Sequence, residues 1–173
     1  MRDGSKARRF NGIVSASIGI VFLTQAVRGS ISALVGLESP FSIIVWGGVV
    51  LVVIHVITSV VTSNEQLNDV EHPPSSRKKR HLLLKWVTGG MLGVVAAVHI
   101  VLPKSTFAAM ALIVVLTIVL AVHLCVGGKS LLKDVGLSTR YKMAYRIVVC
   151  AVAAAVVVAI LVSGSGVLGG FHA

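Results

Sequence analysis

The chain has 173 residues, of which 55% are hydrophobic and 13% charged, and its mean hydropathy is +0.94. Roughly 25% of the residues in a soluble domain are charged, so this composition excludes an ordinary soluble protein and predicts an integral membrane protein. The formal net charge of +10 does not indicate a nucleic acid partner, because the basic residues cluster beside the apolar segments, where they report topology.

Five apolar segments are each long enough to cross a bilayer core of ~30 Å at a rise of 1.5 Å per residue. We therefore expect an all-α membrane protein with five transmembrane helices in a single domain over residues 1–173. The first segment lacks a clear cleavage site and is expected to be a retained helix rather than a signal peptide. The predicted helices cover residues 10–28, 41–63, 83–102, 106–127 and 143–163.

The basic residues also predict the orientation of these helices. Fourteen of the 16 lysines and arginines lie before or at the start of helix one, around the polar segment 64–81, or around the connection between helices four and five. Only Arg28 and Lys104 lie on the opposite side. Positive residues concentrate on the cytoplasmic side, so we expect a multi-pass protein of the cell membrane with a cytoplasmic N-terminus and an exported C-terminus.

Three histidines, His55, His99 and His123, lie within the apolar segments. Ionisable or metal-binding side chains are costly in hydrocarbon and by default mark a functional site there. Imidazole is the usual axial ligand that joins haem iron to a helix, so the leading hypothesis is a membrane cytochrome of the b type. The sequence contains no CxxCH motif, and any haem is expected to be non-covalent.

Counting along the predicted helices places these histidines at two depths. His55 lies about eight residues and His123 about four to five residues from the inner ends of their helices, so both fall in the cytoplasmic half. We expect them to face each other across one haem, and we call this pair the inner site. His99 and Gln25 each lie about three residues from an outer helix end. They form an incomplete second pair, the outer site, in which glutamine takes the place of a second histidine.

Small residues on the helix faces could leave space for a macrocycle at the inner site. Gly127 lies one turn beyond His123, whereas Ser15 and Gly89 lie ~15 Å deeper than the outer pair, at the level of the inner haem. Four helices would then form a haem-binding bundle; the alternative is that these residues only permit close helix packing. Lys129 is the best candidate for a haem propionate partner, although positive-inside anchoring also explains it.

Two segments carry a family resemblance. The segment HLCVGGKSLLKDVG, residues 123–136, and the segment TGGMLGVVAAVH, residues 88–99, are similar to motifs of the cytochrome b membrane-anchor subunit of succinate:quinone and quinol:fumarate oxidoreductases. The chain most resembles the single-subunit, five-helix form of that family. In the first motif the family has a histidine followed by a glycine, a basic residue, an aspartate and a glycine, which here are His123, Gly127, Lys129, Asp134 and Gly136.

The resemblance implies a four-helix haem-binding bundle plus a fifth helix, with haem b and a quinone, expected to be menaquinone, as cofactors. It implies electron transfer with two partner subunits, an iron–sulfur subunit and a flavoprotein that carries FAD. In di-haem members one haem is held at positions that correspond to His55 and His123, and the other at positions that correspond to Gln25 and His99. Gln25 departs from the ligand pattern of the di-haem members, because glutamine is not a normal haem ligand. Ala121 also departs from the family pattern, because some di-haem members carry a glutamate at this position.

The quinone pocket is not evident from the sequence. Glu38, Trp86, Tyr141 and Tyr145 are candidates because they combine polar groups with an interfacial position, but an aromatic belt also explains the tryptophan and the tyrosines. Two other functions stay open. One is the cytochrome b anchor of another respiratory enzyme, of the hydrogenase or formate dehydrogenase type. The other is a haem-free membrane scaffold or transporter in which the histidines form interhelical hydrogen bonds.

Overall fold

The computed structural model describes residues 3–35, 43–101 and 107–164. Every regular element in these ranges is a helix, which confirms the predicted all-helical fold, and no strand occurs among the described residues. A short 3₁₀ turn, Thr139–Tyr141, precedes the last helix. The helices are α1 (Asp3–Val35), α2 (Ile43–Leu67), α3 (Ser76–Val101), α4 (Phe107–Asp134) and α5 (Lys142–Gly164).

Four of these helices, α2 to α5, are long and apolar enough to cross a membrane, with mean hydropathies between 1.6 and 2.7. Their large apolar side chains lie mostly on the outside of the bundle; Ile100, for example, is 77% exposed. Such a surface is stable in lipid and costly in water, as expected for a multi-pass membrane protein. Helix α1 is also long, with 33 residues, but it does not reach the same apolarity in its described part. A fifth span therefore stays a prediction.

The helices extend beyond most of the predicted apolar segments. Helix α1 begins at Asp3, and α3 begins at Ser76, within the polar segment 64–81 that separates the second and third predicted helices. The hydroxyl of Ser75 accepts a hydrogen bond from the Lys78 backbone N–H at 3.3 Å, which caps the start of α3. Hydropathy marks only the part of a helix that lies in hydrocarbon, whereas the backbone hydrogen bonds continue into the polar interface.

A glycine ends α4 and turns the chain back toward α5. Gly136 has a φ of +84°, in the left-handed region that glycine adopts without a steric cost. The backbone N–H of Leu137 donates to the Leu132 carbonyl at 2.7 Å, and that of Gly136 donates to the Lys133 carbonyl at 3.1 Å. This pair of bonds is the Schellman motif. It places the beginning of α5 beside the end of α4.

Helices α1 and α4 are the centre of the packing, because they contact each other and each contacts two further helices: α1 contacts α2 and α5, and α4 contacts α3 and α5. A Cβ added to Gly12 of α1 would lie 2.7 Å from Asp134 Cβ of α4, so these two helices cross closely there. Helix α2 packs mainly on α1; in the described ranges it does not pack closely along α3 or α4. We call this separation of α2 from α4 the α2–α4 gap.

Candidate functional site

The imidazole of His55 on α2 is held by polar side chains of α1. Its Nδ1 lies 3.0 Å from Ser15 Oγ and 3.1 Å from Asn11 Oδ1. Asn11 Oδ1 also accepts hydrogen bonds from Thr58 Oγ1 at 2.7 Å and from Ser59 Oγ at 3.3 Å. These five residues form a half-buried group that joins α1 to α2, and we call it the Asn11 cluster.

The hydrogen bonds of the Asn11 cluster determine which nitrogen of His55 carries the proton. Ser15 Oγ donates its only proton to the Asn11 carbonyl at 2.7 Å, so this hydroxyl acts as an acceptor toward His55. Asn11 Oδ1 can only accept. Nδ1 of His55 is therefore the donor, and Nε2 retains the lone pair that a metal ion binds.

His123 on α4 is held in a similar way by α3. Its Nδ1 lies 2.9 Å from Thr88 Oγ1, and Thr88 Oγ1 donates to the Leu84 carbonyl at 2.9 Å. With its proton donated to the Leu84 carbonyl, the threonine hydroxyl can accept a hydrogen bond from the N–H of His123 Nδ1. Thr88 is only 6% exposed, so its geometry is fixed by packing. His123 is also left with its Nε2 lone pair.

Gly89 brings the ring of His123 close to the backbone of α3. A Cβ added to Gly89 would lie 3.2 Å from His123 Cε1 and 3.7 Å from its Nδ1. The smallest side chain therefore fits the ring there, and a larger one would displace it. At Gly127, in contrast, nothing lies within 4 Å of an added Cβ, so the face of α4 one turn beyond His123 adjoins open space.

The structure brings His55 and His123 into one region. The two imidazoles are close enough to interact electrostatically, and the ammonium group of Lys85 acts on both. Their helices, α2 and α4, border the α2–α4 gap without packing closely together. Within the described residues, neither Nε2 atom has a hydrogen bond. The arrangement thus presents two imidazole lone pairs near a gap in the bundle.

Lys85 lies on α3, one turn before Thr88, and is half-buried. Its Nζ donates to Ser130 Oγ, which in turn donates to the Gly127 carbonyl at 2.8 Å. A lysine at this position places a positive charge within electrostatic range of both histidines. Lys129, the propionate candidate from the sequence, has an exposed side chain.

The residues of the outer site lie on helices that do not pack closely in the described ranges, Gln25 on α1 and His99 on α3. Both side chains are half-buried. Gln25 Nε2 is buried and has no hydrogen-bond partner among the described residues. A buried amide without a partner is costly, so the described residues alone leave the Gln25 amide poorly satisfied. The pairing of these two residues stays a prediction.

The quinone candidates are dispersed. Trp86 is 40% and Tyr141 48% exposed, and the guanidinium carbon of Arg140 lies 5.2 Å from the centre of the Tyr141 ring. Tyr145 is half-buried, and its ring lies against Gly128 of α4, where an added Cβ would come within 2.5 Å. Tyr145 therefore helps to pack α5 on α4. Glu38 lies outside the described residues.

Sequence reasoning did not assign a role at the site to Asn11, Thr58 or Lys85. Asn11 had a detectable signal, because it lies four residues before Ser15 and so shares its helix face. Lys85 precedes Thr88 and Gly89 by three and four residues, so it lies on the same helix face as these two residues. What the sequence lacks is the rotation of each helix about its axis, which determines the neighbour that such a face meets.

The described residues contain no group of three or more histidine, cysteine, aspartate or glutamate side chains arranged to hold a metal ion. The donor set at the inner site is two imidazoles, a number that suits the axial positions of a haem.

Comparison of the chain with protein-family models, with the curated proteins and with the solved structures finds no match.

Proposed function

We propose that this chain is a haem b- and quinone-binding membrane anchor in which His55 and His123 are the axial ligands of one haem. The observation that carries the proposal is that the two imidazoles have the same pattern of hydrogen bonding. Each donates its Nδ1 proton to a side chain of a neighbouring helix and keeps its Nε2 lone pair, at the border of the α2–α4 gap.

This hydrogen bonding is what a histidine ligand requires. A ligating imidazole almost always donates its other N–H to a protein acceptor, which fixes the tautomer and the ring orientation and raises the basicity of the ligand. The Asn11 cluster would do this for His55, and Thr88 would do it for His123. Both acceptor groups are in place in the polypeptide, so the imidazoles are preorganised.

The space and the charge around the two imidazoles also fit a haem. Gly127 borders open space one turn beyond His123, and Gly89 allows the His123 ring to lie against α3. The half-buried Lys85 ammonium, within electrostatic range of both imidazoles, is a suitable partner for a propionate, because charge-assisted bonds to carboxylates are strong. We propose Lys85 for this role in place of Lys129, whose side chain is exposed.

A bound haem b would supply a one-electron Fe(III)/Fe(II) couple. The protein's part would be to hold the two imidazoles in one tautomer, to compensate the propionate charge with Lys85, and to keep water away with the apolar faces of α2, α3 and α4. Gln25 and His99 would belong to a second, outer site. Glu38, Trp86 and Tyr145 remain candidates for quinone contacts.

The resemblance to succinate:quinone and quinol:fumarate oxidoreductase anchors makes the proposal more specific. It supports five spans with a cytoplasmic N-terminus, an iron–sulfur subunit and an FAD-containing flavoprotein as partners, and menaquinone as the electron acceptor or donor. The chain would pass electrons between the iron–sulfur subunit and the quinone, and a partner subunit would perform the succinate or fumarate chemistry.

The test is purification of the full chain from its native membrane together with any bound subunits. A pyridine haemochrome assay and a reduced-minus-oxidised spectrum would measure haem b per chain, and a dye-linked succinate oxidation assay would detect the flavoprotein. We expect one or two haems per chain and co-purified succinate oxidation. Haem with a hydrogenase or formate dehydrogenase activity instead would assign the chain to another respiratory enzyme. The absence of a b-type spectrum would refute the proposal.

One observation favours a second candidate, the haem-free scaffold. The interhelical bonds of His55 to α1 and of His123 to α3 join helices without any cofactor. In a scaffold, replacing these histidines would lower the stability of the folded protein. In a cytochrome, it would remove haem absorbance first. Thermal unfolding of the histidine variants, followed beside their spectra, distinguishes the two.

A further inference from the structure

A groove of about 560 Å³ runs between α4 and α5, and neither His55 nor His123 is among its lining residues. It is open along one side, and its walls are almost entirely apolar. The lining residues are Ile118, Ala121, Val122, Cys125, Val126, Arg146, Cys150, Ala153, Ala154, Val157 and Val158.

Arg146 is the only charged residue in the lining of this groove. Its Nη2 donates to the Cys125 carbonyl at 3.3 Å, which anchors the guanidinium to α4. Its Nε is buried and has no hydrogen-bond partner among the described residues. An unsatisfied guanidinium donor beside hydrocarbon is costly, so the group is poised to donate a hydrogen bond to an anionic oxygen.

The position of Arg146 suits a lipid headgroup. It lies four residues after the start of α5 at Lys142, at the membrane-interface end of that helix. From Arg146 the groove continues along α5 as far as Val158, which is about 18 Å at 1.5 Å per residue. That length is close to half of the ~30 Å hydrocarbon core. The groove therefore begins at headgroup level and ends near the bilayer centre.

We propose that the α4–α5 groove binds one anionic phospholipid, with its phosphate on Arg146 and an acyl chain against the small residues Ala153 and Ala154. The charge argues for an anionic lipid over a zwitterionic one, because the guanidinium pairs with phosphate in a bidentate way and no acidic side chain of the lining compensates it. The proposal is independent of the haem site, which lies on other faces of α4.

The test is native mass spectrometry of the purified full chain, with any accompanying subunits, titrated with dioleoyl phosphatidylglycerol or dioleoyl phosphatidylcholine. We expect one tightly retained phosphatidylglycerol and weaker phosphatidylcholine binding. Arg146→Gln should weaken phosphatidylglycerol binding about fivefold, the effect of one basic residue near a lipid headgroup. Lys133→Gln removes one exposed positive charge from α4 and should leave that binding unchanged.

A second pair of variants tests the groove without changing charge. Ala154→Leu fills the groove and should also reduce binding of phosphatidylglycerol, whereas Ala155→Leu adds the same side chain at an exposed position outside the lining. Equal losses in Ala154→Leu and Ala155→Leu, or in Arg146→Gln and Lys133→Gln, would overturn the proposal. Displacement of the retained lipid by equimolar menaquinone would also overturn it and assign the groove to quinone.

Discussion

The two histidines at the border of the α2–α4 gap are held in place by different numbers of hydrogen-bond acceptors. Nδ1 of His55 lies within hydrogen-bonding distance of three side-chain oxygens, Ser15 Oγ, Asn11 Oδ1 and, at 3.4 Å, Ser59 Oγ. Asn11 Oδ1 is itself held by hydroxyls of α2. His123 has one side-chain acceptor, Thr88 Oγ1, together with the contact of its ring with Gly89. The first ring is thus positioned by a redundant polar group, and the second by a single hydroxyl and by steric fit.

This difference indicates how each ring should respond to mutation. In a redundant cluster, loss of one acceptor leaves another within hydrogen-bonding distance, so single changes have small effects. In a site with one acceptor, loss of that acceptor leaves a buried N–H without a partner, which costs ~1–3 kcal/mol. We therefore expect the His123 side to be the more sensitive, and the following experiments test that expectation.

Removal of either imidazole should have the largest effect. We expect His55→Ala and His123→Ala each to abolish the inner haem, because a non-covalent haem held by two ligands loses half of its iron coordination from the protein. The measurement is haem per chain by pyridine haemochrome assay. His99→Ala serves as the control on a transmembrane helix and should spare the inner haem. Normal haem content in both alanine variants, or loss of all haem in a folded His99→Ala protein, would refute the assignment.

Steric displacement of the His123 ring should have the next largest effect. Gly89→Leu places a branched side chain where even a Cβ lies 3.2 Å from His123 Cε1, so the ring must move and most of the haem should be lost. Gly90→Leu is the matched control, because nothing lies within 4 Å of an added Cβ at Gly90. Absorbance at the b-type band per folded chain is the readout. Similar haem content in the two variants would show that the contact with Gly89 does not position the ring.

The acceptor variants compare the two sides directly. Thr88→Val removes the one side-chain acceptor of His123 while keeping the shape of the residue, and should weaken haem retention by 10- to 100-fold, as is typical of groups that support metal ligands. Ser15→Ala leaves Asn11 Oδ1 in place for His55 and should weaken retention only a few-fold. Haem transfer to apomyoglobin gives both values. A larger effect for Ser15→Ala would reverse the comparison.

The smallest expected effect concerns the positive charge that both rings share. Lys85→Gln should lower the haem midpoint potential by on the order of 50 mV, because removing a nearby cation disfavours addition of an electron. Redox titration of the purified protein measures the shift. Lys129→Gln removes an exposed lysine and should change the potential by much less. Equal shifts in the two variants would mean that Lys85 acts only as part of the general positive charge of that membrane face.

Helical rise alone predicts that His55 and His123 lie at similar depth, because depth depends only on position along each helix. It could not predict that Asn11 and Ser15 meet His55, since that contact depends on the rotation and crossing of α1 and α2. The helix ends were also predicted imprecisely. Hydropathy stops where polar residues begin, whereas α3 starts at Ser76 because Ser75 caps it there. Lys85 was explained by topology, and only its three-dimensional neighbours indicate a second role.

The pattern of helix contacts also has a consequence for how the chain is made. Helices α1 and α2 are neighbours in sequence and in space, and so are α3 and α4. Each pair can therefore assemble as a hairpin while the ribosome is still extending the chain, at a low entropic cost of loop closure. Helix α5, synthesised last, contacts both α1 and α4 and joins the two hairpins. Until it emerges, the two hairpins are joined mainly by the contact of α1 with α4, and a large planar cofactor would have its widest route into the α2–α4 gap at that stage.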